Sequence, residues 1–331
     1  MVDTRYDVIG IGNAIVDIIG RCDDAFLESH GAPKGHMQLV DAAGIETLYK
    51  SMGPAVEVSG GSAANTLVGL ASLGGRAAFI GKVADDEFGK IFGHDIRAAN
   101  VEFSCNPVSG KAPTSRSLIL VTPDGERTMN TFLGISTDLD DGEVDPQMIK
   151  ASKIIYLEGY LFDQPEAKAA FRQAVAIAKD AGRQVALSLS DGFCVERHRG
   201  EFLNLIREGV DIVFANSDEI CSLYETDDFE TAANLVARDT SLSALTRGAG
   251  GSVIIADGTR IEIPVDPVSK VEDTTGAGDL YASGFLYGVA TGRDIETAGR
   301  LGSLAAGEII SHMGARPEAA LDQLARDRGL I

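Results

Sequence analysis

From Lys153 to Thr246 the sequence repeats one pattern, and that pattern leaves few folds open. Short apolar runs (Lys153–Leu157, Gln184–Leu189, Asp211–Ala215, Ser243–Thr246) alternate with amphipathic stretches (Pro165–Ala181, Glu201–Glu208, Asp218–Tyr224, Phe229–Arg238). Near-continuous apolar runs predict strands buried on both faces, and the stretches between them carry the helical period. Strands of that kind joined through helices form a parallel sheet covered by helices on both sides. Tyr6–Ile11 and Ala77–Gly81 read as further strands, and Asp86–Asn100 as a helix. Ser252–Ala256 and Arg260–Pro264 predict a hairpin, and helices begin at Gly278, Glu296 and Pro317. A length of 331 residues suits one large α/β domain.

The first third interrupts the pattern. Ser117–Thr122 and Thr128–Phe132 alternate as strands and are joined by Pro123-Asp124-Gly125-Glu126, a local antiparallel hairpin. Ala14–Ile19 is apolar around one carboxylate, Asp17, and Asp41–Lys50 predicts a short helix. The expectation is a single domain over residues 1–331 with a small β-rich lid built from insertions at about 14–40 and 108–134.

Glycine turns punctuate the α/β part: Gly60-Gly61, Gly248-Ala249-Gly250-Gly251 and Gly276-Ala277-Gly278. The last opens a helix and carries Asp279. First-turn N–H groups have no intrahelical acceptor and sit at the positive end of the helix dipole, which makes an anion site. A carboxylate there reads either as a dipole partner or as a proton acceptor beside a transferring phosphoryl group. The formal charge of −20 excludes nucleic acid and anionic membranes as partners, because both need a basic footprint. Cys22, Cys105, Cys194 and Cys221 have no metal-ligand spacing and read as reduced thiols. Residues 1–7 show no basic stretch before an apolar run, so a cytoplasmic protein is expected. Gly10-Ile11-Gly12 lacks the third glycine of a dinucleotide fingerprint, since Val16 stands in its place.

Asp273-Thr274-x-Gly276-Ala277-Gly278-Asp279 resembles the C-terminal signature of the PfkB (ribokinase-like) family of carbohydrate and nucleoside kinases. Gly60-Gly61-x-x-x-Asn65 resembles its N-terminal signature, Asn216-x-x-Glu219 its N-x-x-E element, and Thr246–Gly251 its nucleotide-binding turn. The resemblance implies a three-layer ribokinase-like sandwich and an ATP-dependent kinase. Asp279 would be the general base, with Gly276, Ala277 and Gly278 as anion hole and Arg127 as a lid cation near the phosphates. Asn216, Thr246, Arg247, Gly248 and Gly251 would line the ATP site, and Glu219 would act on Mg²⁺ through water. Asn13, Asp17, Gly60, Gly61 and Asn65 would hold the sugar.

Within the family, the segment 10–18 and Lys34–Leu39 resemble the adenosine kinases, and Gln38 falls where a base-contacting Gln occurs. Met129, Leu133 and Tyr160 read as walls for a base or as lid core, and the role of Glu158 is open. The implied reaction is phosphorylation of the 5′-hydroxyl of adenosine, with ATP and Mg²⁺ as cofactors and a monovalent cation left open. The rivals are a sugar kinase of ribokinase or fructokinase type, an inosine or guanosine kinase, and a sensor that keeps the fold without turnover. Both a monomer and a homodimer are compatible with the sequence.

Overall fold

The computed structural model describes residues 4–331. Its strands are β1 (Tyr6–Ile11), β2 (Ile15–Arg21), β3 (Met37–Leu39), β4 (Ala55–Gly60), β5 (Ala77–Ile80), β6 (Val101–Phe103), β7 (Ser115–Val121), β8 (Arg127–Phe132), β9 (Ser152–Glu158), β10 (Gln184–Ser188), β11 (Ile212–Asn216), β12 (Leu242–Thr246), β13 (Ser252–Ala256) and β14 (Thr259–Ile263). Nine form the main sheet in the order β14-β13-β12-β11-β10-β9-β1-β5-β6. The strands from β12 to β6 are parallel, and the hairpin β13–β14 adds antiparallel pairs at one edge.

Adjacent residues of one strand enter opposite cores, as the two-residue period requires. Ile9, Ile155, Val185 and Val213 join Phe171, Phe202, Ile220 and Val236 of the helices Pro165–Asp180, Gly192–Gly209, Ser217–Leu223 and Phe229–Asp239. Val8, Ile154, Ala186 and Phe214 join Leu67, Phe92, Phe285 and Ala298 of the helices Ser62–Ser72, Glu87–Ala98, Ala277–Ala290 and Ile295–Ile309. The result is helix, sheet, helix in three layers. Phe285 meets Phe214 edge-on at 5.5 Å, and burying such a ring contributes about 2 kcal/mol.

Small residues bring the helices Ala277–Ala290 and Ile295–Ile309 into backbone contact. A Cβ on Gly284 would lie 2.2 Å from Leu301 O, and one on Gly288 would lie 2.6 Å from Ala298 Cα. The helix that opens with the Gly276 turn is therefore held rigidly against the helix that carries Ala306 to Ile310.

Sequence neighbours along the sheet run outward from β1 in both directions: β5 and β6 to one side, β9 to β12 to the other. The boundary between β1 and β9 is a topological switch point, where connections diverge and leave a crevice beyond the strand ends. Asn13 follows β1 there, and Glu158 ends β9.

The lid is a second sheet in the order β3-β8-β7-β2-β4. One face is core: Val16, Ile18, Leu118 and Leu120 pack with Leu27, Ile45 and Leu48 of the helices Asp24–Ser29 and Ala42–Ser51. Strand β4 lies outside the expected lid segments. Its first residues are exposed at a sheet edge, so it lacks the apolar run that marks a buried strand. The helix expected over Glu201–Glu208 extends over Gly192–Gly209 with a break at His198, and the last helix shortens to Leu321–Asp327.

Candidate active site

Asp279 stands at the third position of its helix, after an N-cap at Gly276 with φ +78°. Ser62 Oγ donates to Asp279 Oδ1 at 2.6 Å and Asn65 Nδ2 donates to Oδ2 at 2.9 Å. Both donors belong to the first turn of Ser62–Ser72, so the carboxylate is fixed between two helix N-termini. Burial raises its pKa, while Ser62, Asn65 and Arg316 pull the other way. Of the expected anion-hole donors, Ala277 N–H closes a turn onto Thr274 O at 3.2 Å. The first-turn N–H groups of Gly278 and Asp279 lack intrahelical acceptors.

Asp17 lies directly over the Gly60-Gly61 turn. A Cβ on Gly60 would sit 2.2 Å from Asp17 Oδ2. Gly61, at φ +96°, occupies a backbone region closed to most residues, and its Cβ would strike Asn13 O at 2.2 Å. Burial pushes the Asp17 carboxyl up to about 7, with Arg316 and Arg127 opposing and Asp279 adding to the rise. Asn13 Nδ2 donates to Glu158 Oε1 at 2.7 Å and its Oδ1 accepts from Ser136 Oγ at 2.8 Å, all buried. Asn13 brackets the switch point, its amide joining Glu158 to Ser136 and keeping one N–H and one lone pair beyond these two bonds. Glu158 also accepts from the N–H groups of Asn13 (3.2 Å) and Ala63 (2.8 Å), tying β9, the β1 exit and the helix behind the glycine turn. Burial drives the Glu158 carboxyl up to about 7 against these donors.

Strand register divides the open lid face into rows. Asp17 pairs with Ser117, and Ser117 with Thr131; the two hydroxyls are 2.9 Å apart. The next row is apolar across five strands: Val56, Ile19, Ile119, Met129 and Met37. Gln38 pairs with Asn130 and its Nε2 donates to Asn130 Oδ1 at 2.6 Å. Alternation turns both to the other face, away from Asp17, so Met37 holds the place expected of Gln38. Beyond the apolar row, Arg127 reaches the phosphate turn. Its Nη1 contacts Asp273 Oδ2 at 2.7 Å and donates to Thr275 Oγ1 at 3.1 Å. Its Nη2 is buried without a hydrogen-bond partner among the described residues.

On the other side of the turn lies a mainly apolar cavity of 580 Å³. Thr246, Gly248 and Gly251 line it, facing Gly278, Ala306 and Ile310. Arg247 is not brought to it. Its guanidinium donates to Gly250 O at 3.1 Å, pairs with Glu262 and covers the Phe229 ring. Asn216 and Glu219 form a reciprocal cap: Glu219 Oε2 accepts from Asn216 N at 2.9 Å, Oε1 from Nδ2 at 2.7 Å, and Asn216 Oδ1 from Glu219 N at 2.9 Å. Burial raises the Glu219 carboxyl to about 7, and Asp191, Asp218 and Asp279 add to it. No group of three or more metal-ligating side chains gathers among the described residues. The surrounding carboxylates are hard oxygen donors that suit a hydrated Mg²⁺ carried in with phosphate.

Sequence reasoning passes over Ser62 and Arg316. Ser62 could have been found as the first helical residue after the glycine turn. Arg316 carries no motif.

The sequence pattern of the pfkB family carbohydrate kinases matches residues 50–321. A 5-dehydro-2-deoxygluconokinase of Shouchella clausii is 26% identical, covering 93% of this chain and 90% of that protein. A probable sugar kinase of Rhizobium etli CFN 42 superposes with a TM-score of 0.93 at 51% identity, over 99% of this chain and 100% of that one. The adenosine kinase of Sinorhizobium meliloti superposes with a TM-score of 0.92 at 54% identity, over 98% and 100%.

Proposed function

The chain belongs to the pfkB family of carbohydrate kinases, and from that premise we propose that it transfers the γ-phosphoryl group of ATP to the 5′-hydroxyl of adenosine. The observation that carries the reaction is the Asp279 carboxylate, held by Ser62 and Asn65 beside the free N–H groups of a helix start. In this reading ATP lies along the 580 Å³ cavity with its terminal phosphate at Gly278. The ribose stands between Asp17 and Asp279. Asp279 accepts the hydroxyl proton as the new O–P bond forms and the bond to ADP breaks. Gly278 and Asp279 N–H groups, with Arg127 Nη2, stabilise the charge that spreads over the transferring oxygens. Glu219 would help to hold a hydrated Mg²⁺, which when bound would neutralise charge on the phosphates.

Two observations support a nucleoside over a bare sugar. The apolar row Ile19, Ile119, Met129 and Met37 lies beside the polar row of Asp17, a surface suited to a base next to its ribose. The named adenosine kinase of S. meliloti is 54% identical over nearly the whole chain. A sugar kinase is the second reading, favoured by Gln38 turning away from the cleft and by the sugar-kinase relatives.

Steady-state rates with adenosine, inosine, guanosine, ribose, fructose and 5-dehydro-2-deoxygluconate separate the two. Adenosine is expected to lead in kcat/KM. A sugar that exceeds it by more than about tenfold would overturn the base-pocket reading. Asp279→Asn is expected to keep ligand binding and lose about 10²- to 10⁴-fold in kcat; undiminished turnover would remove Asp279 from the chemistry.

A further inference from the structure

Three consecutive residues outside every motif touch both glycine turns that meet at Asp279. Gly314 N–H donates to Asp273 Oδ2 at 3.0 Å, the same oxygen that holds Arg127. Ala315 packs on the phosphate turn, so close that a Cβ on Gly276 would lie 2.9 Å from Ala315 Cβ. Arg316 crosses to the substrate turn. Its Nε donates to Ser59 O at 2.8 Å, its Nη2 to Ser59 Oγ at 2.8 Å and its Nη1 to Ala64 O at 2.9 Å. Ser59 and Ala64 flank Gly60-Gly61 on the two sides, and Asp95 Oδ2 holds Ser59 from behind through its N–H at 2.7 Å and its Oγ at 2.5 Å.

We propose that Gly314–Arg316 is a brace setting the distance between the substrate turn and the phosphate turn, with Arg316 the positioning residue that orients Asp279 and supplies its buried counter-charge. The path is short. The Arg316 fork fixes Ala64 and Ser59; these fix the helix start at Ser62 and Asn65; that start holds both oxygens of Asp279. A planar guanidinium makes such a three-point staple, and an ammonium cannot reproduce it. No carboxylate pairs directly with Arg316 among the described ion pairs, and its charge bears on Asp17 and Asp279 through space. Burial lowers the Arg316 pKa to about 10, while Asp95, Asp17 and Asp279 hold it up. Asp279 in turn adds to the raised pKa of the neighbouring Asp17, Glu158, Glu219, Tyr156 and Tyr160. Losing Arg316 removes the charge that holds the Asp279 carboxyl down against burial, so its pKa rises.

The inference rests on Asp279 as base, and the experiment separates the two. Full pH profiles of kcat and kcat/KM are measured for the wild type, Arg316→Lys, Arg316→Gln and Asp279→Asn, with Mg·ATP and whichever acceptor the wild type phosphorylates fastest. Arg316→Gln is expected to lower kcat on the order of 10²-fold with little change in KM for ATP. Its acid limb is expected to move up by about one pH unit. Arg316→Lys is expected to keep the limb near the wild-type position while kcat still falls about tenfold. A folded Arg316→Lys with wild-type kcat overturns the staple, and a folded Arg316→Gln with an unmoved limb overturns the counter-charge. Should Arg316→Gln not fold, Arg316→Met at the same position reads the limb, and collapse of both neutral variants beside a fully active Arg316→Lys overturns the positioning role in favour of a purely structural charge. An Asp279→Asn variant that turns over normally removes the base reading and this inference with it; an inactive one with unaffected Arg316 variants removes the inference alone.

Discussion

Asp17 and Gly60 show how one atom decides a residue. The Asp17 carboxylate occupies the volume that any side chain at 60 would need. Gly60→Ala is therefore expected to displace Asp17 and cost at least about tenfold in kcat/KM for the acceptor, with ATP binding intact; calorimetric titration of both ligands checks it. An unchanged acceptor affinity would show that Asp17 does not meet the substrate. Gly60, Gly61, Asn65 and Asp279 were singled out from the sequence because they form, or closely follow, glycine turns that open helices. Arg316 was not. Its function comes from backbone carbonyls at Ser59 and Ala64, and carbonyls leave no trace in residue identity. Asn13 was visible and was assigned to the sugar; its bonds to Glu158 and Ser136 are to buried partners that local spacing cannot reveal.

At the level of elements, the lid is latched rather than merely adjacent. Arg127 and Asp273 are both nearly buried, and they join the tip of β8 to the phosphate turn at 2.7 Å. Removing one partner of a buried pair leaves the other uncompensated. Arg127→Ala is thus expected to lower kcat by about 10- to 100-fold and to speed amide hydrogen exchange across Ser115–Phe132, while exchange in β9–β12 stays as before. Unchanged exchange in the hairpin would mean that the latch does not hold the lid. The hairpin itself was readable from Pro123–Glu126 and its alternating flanks. Strand β4 was not, because it is an edge strand with exposed side chains and has little apolar pattern; β3, equally exposed, was placed in the lid through the family resemblance alone. Placing Gln38 in the lid did not fix its direction: only its pairing with Asn130 decides which face it takes.

Over the whole molecule, three carboxyls of the cleft share an unusual state. Asp17, Glu158 and Glu219 are each pushed by burial to about 7. A carboxyl whose folded pKa exceeds its unfolded value stabilises the fold below the unfolded value, and that stability is lost as pH rises through the folded value. The ligand-free protein is therefore expected to melt at a lower temperature at pH 8 than at pH 5, with Mg·ATP narrowing the gap; a Tm that rises over that interval would contradict the burial of these groups. At the acid end the sign reverses. Burial pushes Asp7 up, but hydrogen bonds from Arg76 and Lys153 outweigh it and hold its carboxyl at about 2, so its contribution disappears only as pH falls toward that value. The three-layer architecture was legible from alternating strands and helices, whereas the position of β1 in the middle of the sheet was not, since strand order is a long-range property. That position has a consequence for biosynthesis. By Phe132 a chain leaving the ribosome holds all five lid strands and β1, β5 and β6, along with Asp17, Gly60 and Asn65. One edge of β1 then stays unpaired until β9 begins at Ser152, and Asp279 arrives more than a hundred residues after that. The acceptor side of the cleft is made first, and the nascent chain carries an open, apolar sheet edge through the interval before its catalytic half exists.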